Sequence, residues 1–145
     1  MSFFNTSSSI NTELAGKLIA AGEAKLQEMG IASNIAVVDS KGFLVAFLRM
    51  DGAPLPSIEH AINKGYTSAL FSAATASLGK DAQPGGSLYG LNITLNQRVI
   101  VFAGGEPLIH NEQVVGAVGI SGGTAEQDQQ VADHVVKAFK SLGAA

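Results

Sequence analysis

The chain has 145 residues, a formal net charge of −3 and a sequence pI near 5.5, with 46% hydrophobic and 14% charged residues. One core of that size buries roughly two thirds of the unfolded surface without staples, while the nine scattered Lys and Arg exclude a nucleic-acid footprint. No apolar run is long enough to span a bilayer, and the lack of cysteine removes disulfides, thiolate metal sites, iron–sulfur clusters and Cys nucleophiles together.

Residues 1–10 are polar and read as a loose arm, and residues 11–145 read as a single domain. The opening MSFFNTSSSI has neither the basic nor the apolar stretch of a secretion signal, so a cytoplasmic location is expected. A helix follows from Thr12 to Met29 with Asn11 as N-cap, its apolar face formed by Leu14, Ala15, Leu18, Ile19, Gly22, Leu26 and Met29. Gly30 stops it. Asn34–Val38 and Phe43–Leu48 read as two antiparallel strands joined by Asp39-Ser40-Lys41-Gly42, with glycine where the turn needs positive φ. A second helix runs from Ser57 to Phe71 behind two prolines, and Ala74–Lys80 reads as a short helix before the Gln83-Pro84-Gly85-Gly86 loop.

Strands resume at Arg98–Ala103, Pro107–His110 and Gln113–Ser121. The last helix opens on Thr124-Ala125-Glu126-Gln127, a capping box with Thr124 as cap and Gln127 three residues on. Val131, Ala132, Val135, Phe139 and Leu142 line its apolar face. The order predicts an α/β domain: a five-stranded, mostly antiparallel sheet covered by helices. Because 14% charge is well below the typical value of about 25%, burial between copies is expected, as a homo-oligomer.

From Leu14 to Leu142 the sequence resembles the haem-degrading domain family typified by GlcG and HbpS, which also forms the C-terminal module of PduO. The resemblance rests on Ile35–Asp39, Arg49–Pro54, Ala82–Gly86 and the run Gly116–Asp128 (GAVGISGGTAEQD), in that order. It implies a profilin-like α/β fold, homo-oligomers that are often octamers, and haem binding or haem breakdown in some members. It also implies an association with glycolate, propanediol or glycerol metabolism, the last two using cobalamin-dependent dehydratases.

On the second helix, Ile58, Ala61, Ile62, Gly65, Tyr66 and Ala69 make an apolar stripe expected to face the sheet. The opposite side carries His60, Lys64, Thr67 and Phe71. As a ligand site, that second stripe would use Lys64 for a carboxylate or propionate and His60 as iron ligand or proton carrier. As a subunit interface, Phe71 would be its buried anchor, and the low charge content favours this reading. Ser121-Gly122-Gly123-Thr124 joins a strand to a helix, so Gly122, Gly123 and Thr124 would offer N–H groups to a small carboxylate, or else only permit a sharp turn. It lacks the Lys of a P-loop and the acidic residue of a dinucleotide fold. His110 reads as structural at a hairpin end and His134 as solvated, and no histidine pairs at metal-site spacing.

Three functions stay open. The first is a small-ligand protein that binds haem or another tetrapyrrole, with His60 on the metal and Met50 or His110 as substitutes. The second is a non-catalytic accessory protein of glycerol, diol or glycolate metabolism. The third is an enzyme on a small hydroxy acid, clamped by Lys64 and the Gly122-Gly123-Thr124 turn, for which no catalytic base is evident. Whether the chain is an enzyme is left open.

Overall fold

The computed structural model of the chain describes residues 2–143. Its elements are α1 (Thr12–Met29), β1 (Asn34–Asp39), β2 (Leu44–Arg49), α2 (Ser57–Phe71), α3 (Thr75–Asp81), β3 (Gly105–His110), β4 (Gln113–Ser121) and α4 (Ala125–Gly143). Two single 3-10 turns, Leu91–Ile93 and Leu95–Gln97, lie in the long connection between α3 and β3.

Local chemistry sets the element ends. The Asn11 carboxamide accepts from the Leu14 N–H at 2.9 Å to start α1. At the other end Gly30 turns left-handed at φ 70°, returning its N–H to the carbonyls of Leu26 and Gln27. In the β1–β2 turn, the Asp39 carboxylate accepts from the N–H groups of Lys41 and Phe43, and Gly42 takes φ 88°. At α4 the Gln127 N–H donates to the Thr124 hydroxyl while Gln127 accepts from the Thr124 N–H, so the capping box closes in both directions.

The strands form one sheet in the order β2-β1-β4-β3, every pairing antiparallel. Alternation along the strands divides the core in two. Ile35, Val37, Val118 and Ile120 pack with Leu18 and Leu26 of α1 and with Val131, Val135 and Phe139 of α4. Val38 and Ala117 turn to the other face, where they meet Ala69 of α2. α1 and α4 pack against each other on one face, whereas α2 lies across β1, β4 and β3 on the other. The result is a helix–sheet–helix sandwich. Leu142, expected on the buried face of α4, is instead half exposed.

The sheet has four strands, not five. Arg98–Ala103 stays outside it because its backbone groups bond elsewhere. The Ile100 N–H donates to the Thr67 hydroxyl of α2 at 3.0 Å, and the Val101 carbonyl lies against Gly79 of α3. A run such as Val-Ile-Val-Phe reports that the chain is extended and buried, not what its N–H and C=O groups bind.

The arm is tied down at its inner end. The Ile10 N–H donates to the Val115 carbonyl at 2.9 Å, and the Ser40 N–H to the Ser9 hydroxyl at 3.0 Å. Among the described residues, no helix is long and apolar enough to cross a membrane.

Candidate functional site

α2 lies closer to the sheet than its apolar pattern predicts. Its contact line is Ala61, Lys64, Gly65 and Ser68, all buried, while Ile58, Ile62 and Tyr66 are only partly covered. The cause is the small residue opposite: a Cβ on Gly119 of β4 would collide with the Ala61 carbonyl and the Gly65 N–H. That close approach turns the helix about its axis and sends Lys64 inward.

Lys64 is 1% exposed. Its Nζ donates to the Ile120 carbonyl at 2.8 Å and to Asp128 Oδ2 at 3.2 Å. Asp128 Oδ1 accepts from the Gly123 N–H at 2.9 Å. One carboxylate thus joins α2, the end of β4 and the start of α4. Burial pushes the Lys64 ammonium below its ordinary value, and the Asp128 charge and hydrogen bond oppose that shift.

These contacts correct the expectation that Lys64 lies on the side of α2 away from the sheet, free to take a carboxylate. They also occupy the turn expected to offer free N–H groups, since Gly123 donates to Asp128 and Thr124 to Gln127. Gly122 lies against Ser33, leaving no room for a side chain. Thr67 is fully buried and holds the following loop, donating to the Asn63 carbonyl at 2.7 Å and accepting from Ile100. Phe71 ends α2, about 16 Å along the axis from His60 by helix rise. His60, Lys64, Thr67 and Phe71 therefore do not share one open surface.

His60 does remain partly open. Its ring meets Phe102 edge-on, with centroids 5.7 Å apart and planes at 89°, and Lys64 Nζ lies 5.0 Å from the centroid of the same ring. Phe102 is 46% exposed. The sequence places it in an expected strand; Gly104, at φ 120°, turns the chain two residues later.

Two open grooves lie along the same connection, and Phe102 lines the first of them. One, about 380 Å³, is lined by Ile93, Gln97, Val99, Val101 and Phe102 and is largely apolar in residue type. The other, about 480 Å³, is lined by Glu59, Ile62, Asn63, Asn96, Gln97 and Arg98. Gln97 borders both. Tyr89, Ile93 and Leu95 extend the exposed apolar surface along the same connection.

The other histidines stand apart. His110 borders a cavity of about 130 Å³ beneath the arm with Ile10, Leu14, Val115 and Phe139. His134 lies on α4 beside Lys25, Asp133 and Lys137. Met50 packs partly buried against the main core. Among the described residues, no three His, Asp or Glu side chains converge as metal ligands.

Residues 10–137 match the family model described as "Haem degrading protein HbpS-like". The chain is 41% identical over 133 residues to an uncharacterized 15.0 kDa protein of the dhaT-dhaS intergenic region of Citrobacter freundii, covering 92% of this chain and 94% of the relative. It is 34% identical over 123 residues to the corrinoid adenosyltransferase PduO of Salmonella typhimurium, covering 85% of this chain but only 37% of the adenosyltransferase. Among solved structures, the Klebsiella pneumoniae protein ORFY is similar at 40% identity and TM-score 0.95, covering 98% of each chain. A PduOC:heme complex is similar at 32% identity and TM-score 0.86, covering 90% of this chain and 94% of that one.

Proposed function

This chain belongs to the HbpS-like family of haem-degrading proteins, and on that premise we propose that it binds haem, with His60 as the iron ligand. The observation that carries the reading is the His60–Phe102 pair: a partly open imidazole held edge-on by a half-exposed aromatic ring that itself lines an apolar groove.

The residues present fit the group. Neutral imidazole is a haem-iron ligand, and Ile93 and Phe102, with Val101 in the same groove, offer an apolar surface for a macrocycle. Phe102 fixes the His60 ring plane, and the apolar side chains would exclude water from the iron side. Bound haem would supply a redox-active iron. Lys64, the cation beside Phe102, is committed to Ile120 and Asp128 and so is not the partner of a haem propionate. The similar PduOC is a heme complex, which supports the same reading.

A haemin titration followed by absorbance tests it. A saturable Soret band that His60→Ala removes is the expected result; a band of equal affinity in the variant would move the site to another ligand, and no band would end the haem reading.

We also propose that copies of the chain associate through the apolar connection carrying Tyr89 and Leu95, since a charge-poor surface with such side chains exposed is suited to burial. An octamer and a cytoplasmic location are the finer forms of this reading. A second function, as a non-catalytic accessory of corrinoid-dependent diol metabolism, is favoured by the similarity to part of a corrinoid adenosyltransferase. Recovery of no corrinoid enzyme with the tagged protein, from cells grown on a diol, would argue against it.

A further inference from the structure

Arg98 is held unusually well for a side chain at the edge of a groove. Its backbone is fixed one turn of loop away, where Ile100 bonds the buried Thr67 hydroxyl. Its Nε donates to Asn63 Oδ1 at 3.0 Å. Its guanidinium carbon stands 3.6 Å from the centre of the Tyr66 ring. The chain reaches it through Leu95, Asn96 and Gln97, three consecutive non-glycine residues held left-handed at φ 51°, 58° and 62°. Such a run carries a steric penalty that the surrounding contacts must sustain.

What is fixed is the orientation of a fork. The stacked face and the Nε are occupied, and among the described residues neither Nη donates to a protein acceptor and no carboxylate pairs with the group. A planar guanidinium in this state matches a carboxylate in two parallel hydrogen bonds. The groove beside it adds the carboxamides of Asn63, Asn96 and Gln97 and the carboxylate of Glu59. Glu59 disfavours a dense polyanion such as a polyphosphate, so the groove suits one carboxylate group at a time.

We infer that Arg98 is the carboxylate-receiving residue of this protein, in a groove where Asn63, Asn96 and Gln97 complete the polar contacts. The carboxylate has two possible sources. One is a propionate of haem bound at His60, which rests on the haem reading; Gln97 borders both grooves and Phe102 follows Arg98 four residues on in the same segment. The other is a free small hydroxy acid, which does not rest on it.

Three probes separate these sources: haemin, haemin dimethyl ester and sodium lactate, each titrated into native protein, Arg98→Gln and Arg98→Lys. The porphyrins are followed by absorbance and lactate by amide NMR shifts at Asn63, Tyr66 and Gln97. For a propionate, Arg98→Gln weakens haemin about tenfold or more while the ester binds all three proteins alike. For a free acid, lactate shifts those amides in the native protein and not in Arg98→Gln, and haemin is unaffected. Arg98→Lys recovers only part of either effect, because an ammonium cannot form the fork. Should Arg98→Gln fail to fold, the native protein alone decides: haemin and its ester binding equally, with no lactate shifts, overturns the inference. Equal binding of haemin and lactate by native protein and Arg98→Gln overturns it too. Failure of haemin to bind native protein would sink the haem reading alone and leave lactate to decide the site.

Discussion

Lys64 and Asp128 meet at 3.2 Å across 64 residues of sequence, both buried, with the Asp128 carboxylate also holding the Gly123 N–H. A buried ion pair owes its stability to completeness, because each charge loses water and regains it only as protein contacts. Removing one partner strands the other. Lys64→Met or Asp128→Ala alone is expected to cost about 3–5 kcal/mol in urea unfolding. The double variant Lys64→Met/Asp128→Leu is expected to cost less than the sum of the two. Additive losses would show that the two residues act independently.

Thr67 anchors the loop that carries Arg98 to Phe102. Thr67→Val removes the acceptor for the buried Ile100 N–H and is expected to cost about 1–3 kcal/mol. Hydrogen exchange should rise most at Ile100 and its neighbours while β1 and β4 stay protected. An unchanged Ile100 rate would mean that packing against α3 alone holds the loop.

Gly119 sets the height of α2 above the sheet. In Gly119→Ala the new methyl meets the Ala61 carbonyl and the Gly65 N–H, backbone groups of a helix that cannot yield locally. Overpacking of this kind typically costs about 1–3 kcal/mol, and here the upper end or more is expected. Fluorescence-monitored urea unfolding, following Tyr66 and Tyr89, measures it. A loss below about 0.5 kcal/mol, the scatter of ordinary surface changes, would contradict the close approach.

Glu106 supplies a pH dependence whose sign follows from burial, which pushes its carboxyl above the ordinary 4.5, while the hydrogen bond from Gln129 opposes the shift. The folded protein therefore binds this proton more tightly than the unfolded chain does. The resulting stability is fully present below pH 4.5 and is lost as pH rises through the folded value. Between pH 4 and 7 the native protein should lose stability relative to Glu106→Gln, which keeps a carbonyl for Gln129. A constant difference across that range would remove Glu106 from the account.

Wherever a residue's partner lies within a turn or a hairpin, the outcome follows from the sequence. Asn11 and Gly30 bound α1, Asp39 and Gly42 close the β1–β2 turn, and the Thr124–Gln127 pair opens α4 because the groups that bond are two to four residues apart. The apolar face of α1 is legible for the same reason, since Ala15, Leu18, Gly22 and Leu26 recur at the helical period. The place of His60 on the outer side of α2 follows from the helical period, whereas its contact with Phe102 does not.

Tertiary structure alone decided the rest. Lys64 sat on the face opposite the apolar stripe by periodicity, yet Gly119 and Ala61 let α2 settle so near the sheet that Lys64 turned toward Asp128. Arg98–Ala103 had the pattern of a strand, but Thr67 took the Ile100 N–H and left the sheet with four strands. Phe102 came to His60, and Arg98 to Tyr66 and Asn63, across about 30 to 40 residues of chain. Local patterns record which way a side chain leaves its own backbone; they carry no record of which distant group arrives to meet it, and the chemistry of this site is made by those arrivals.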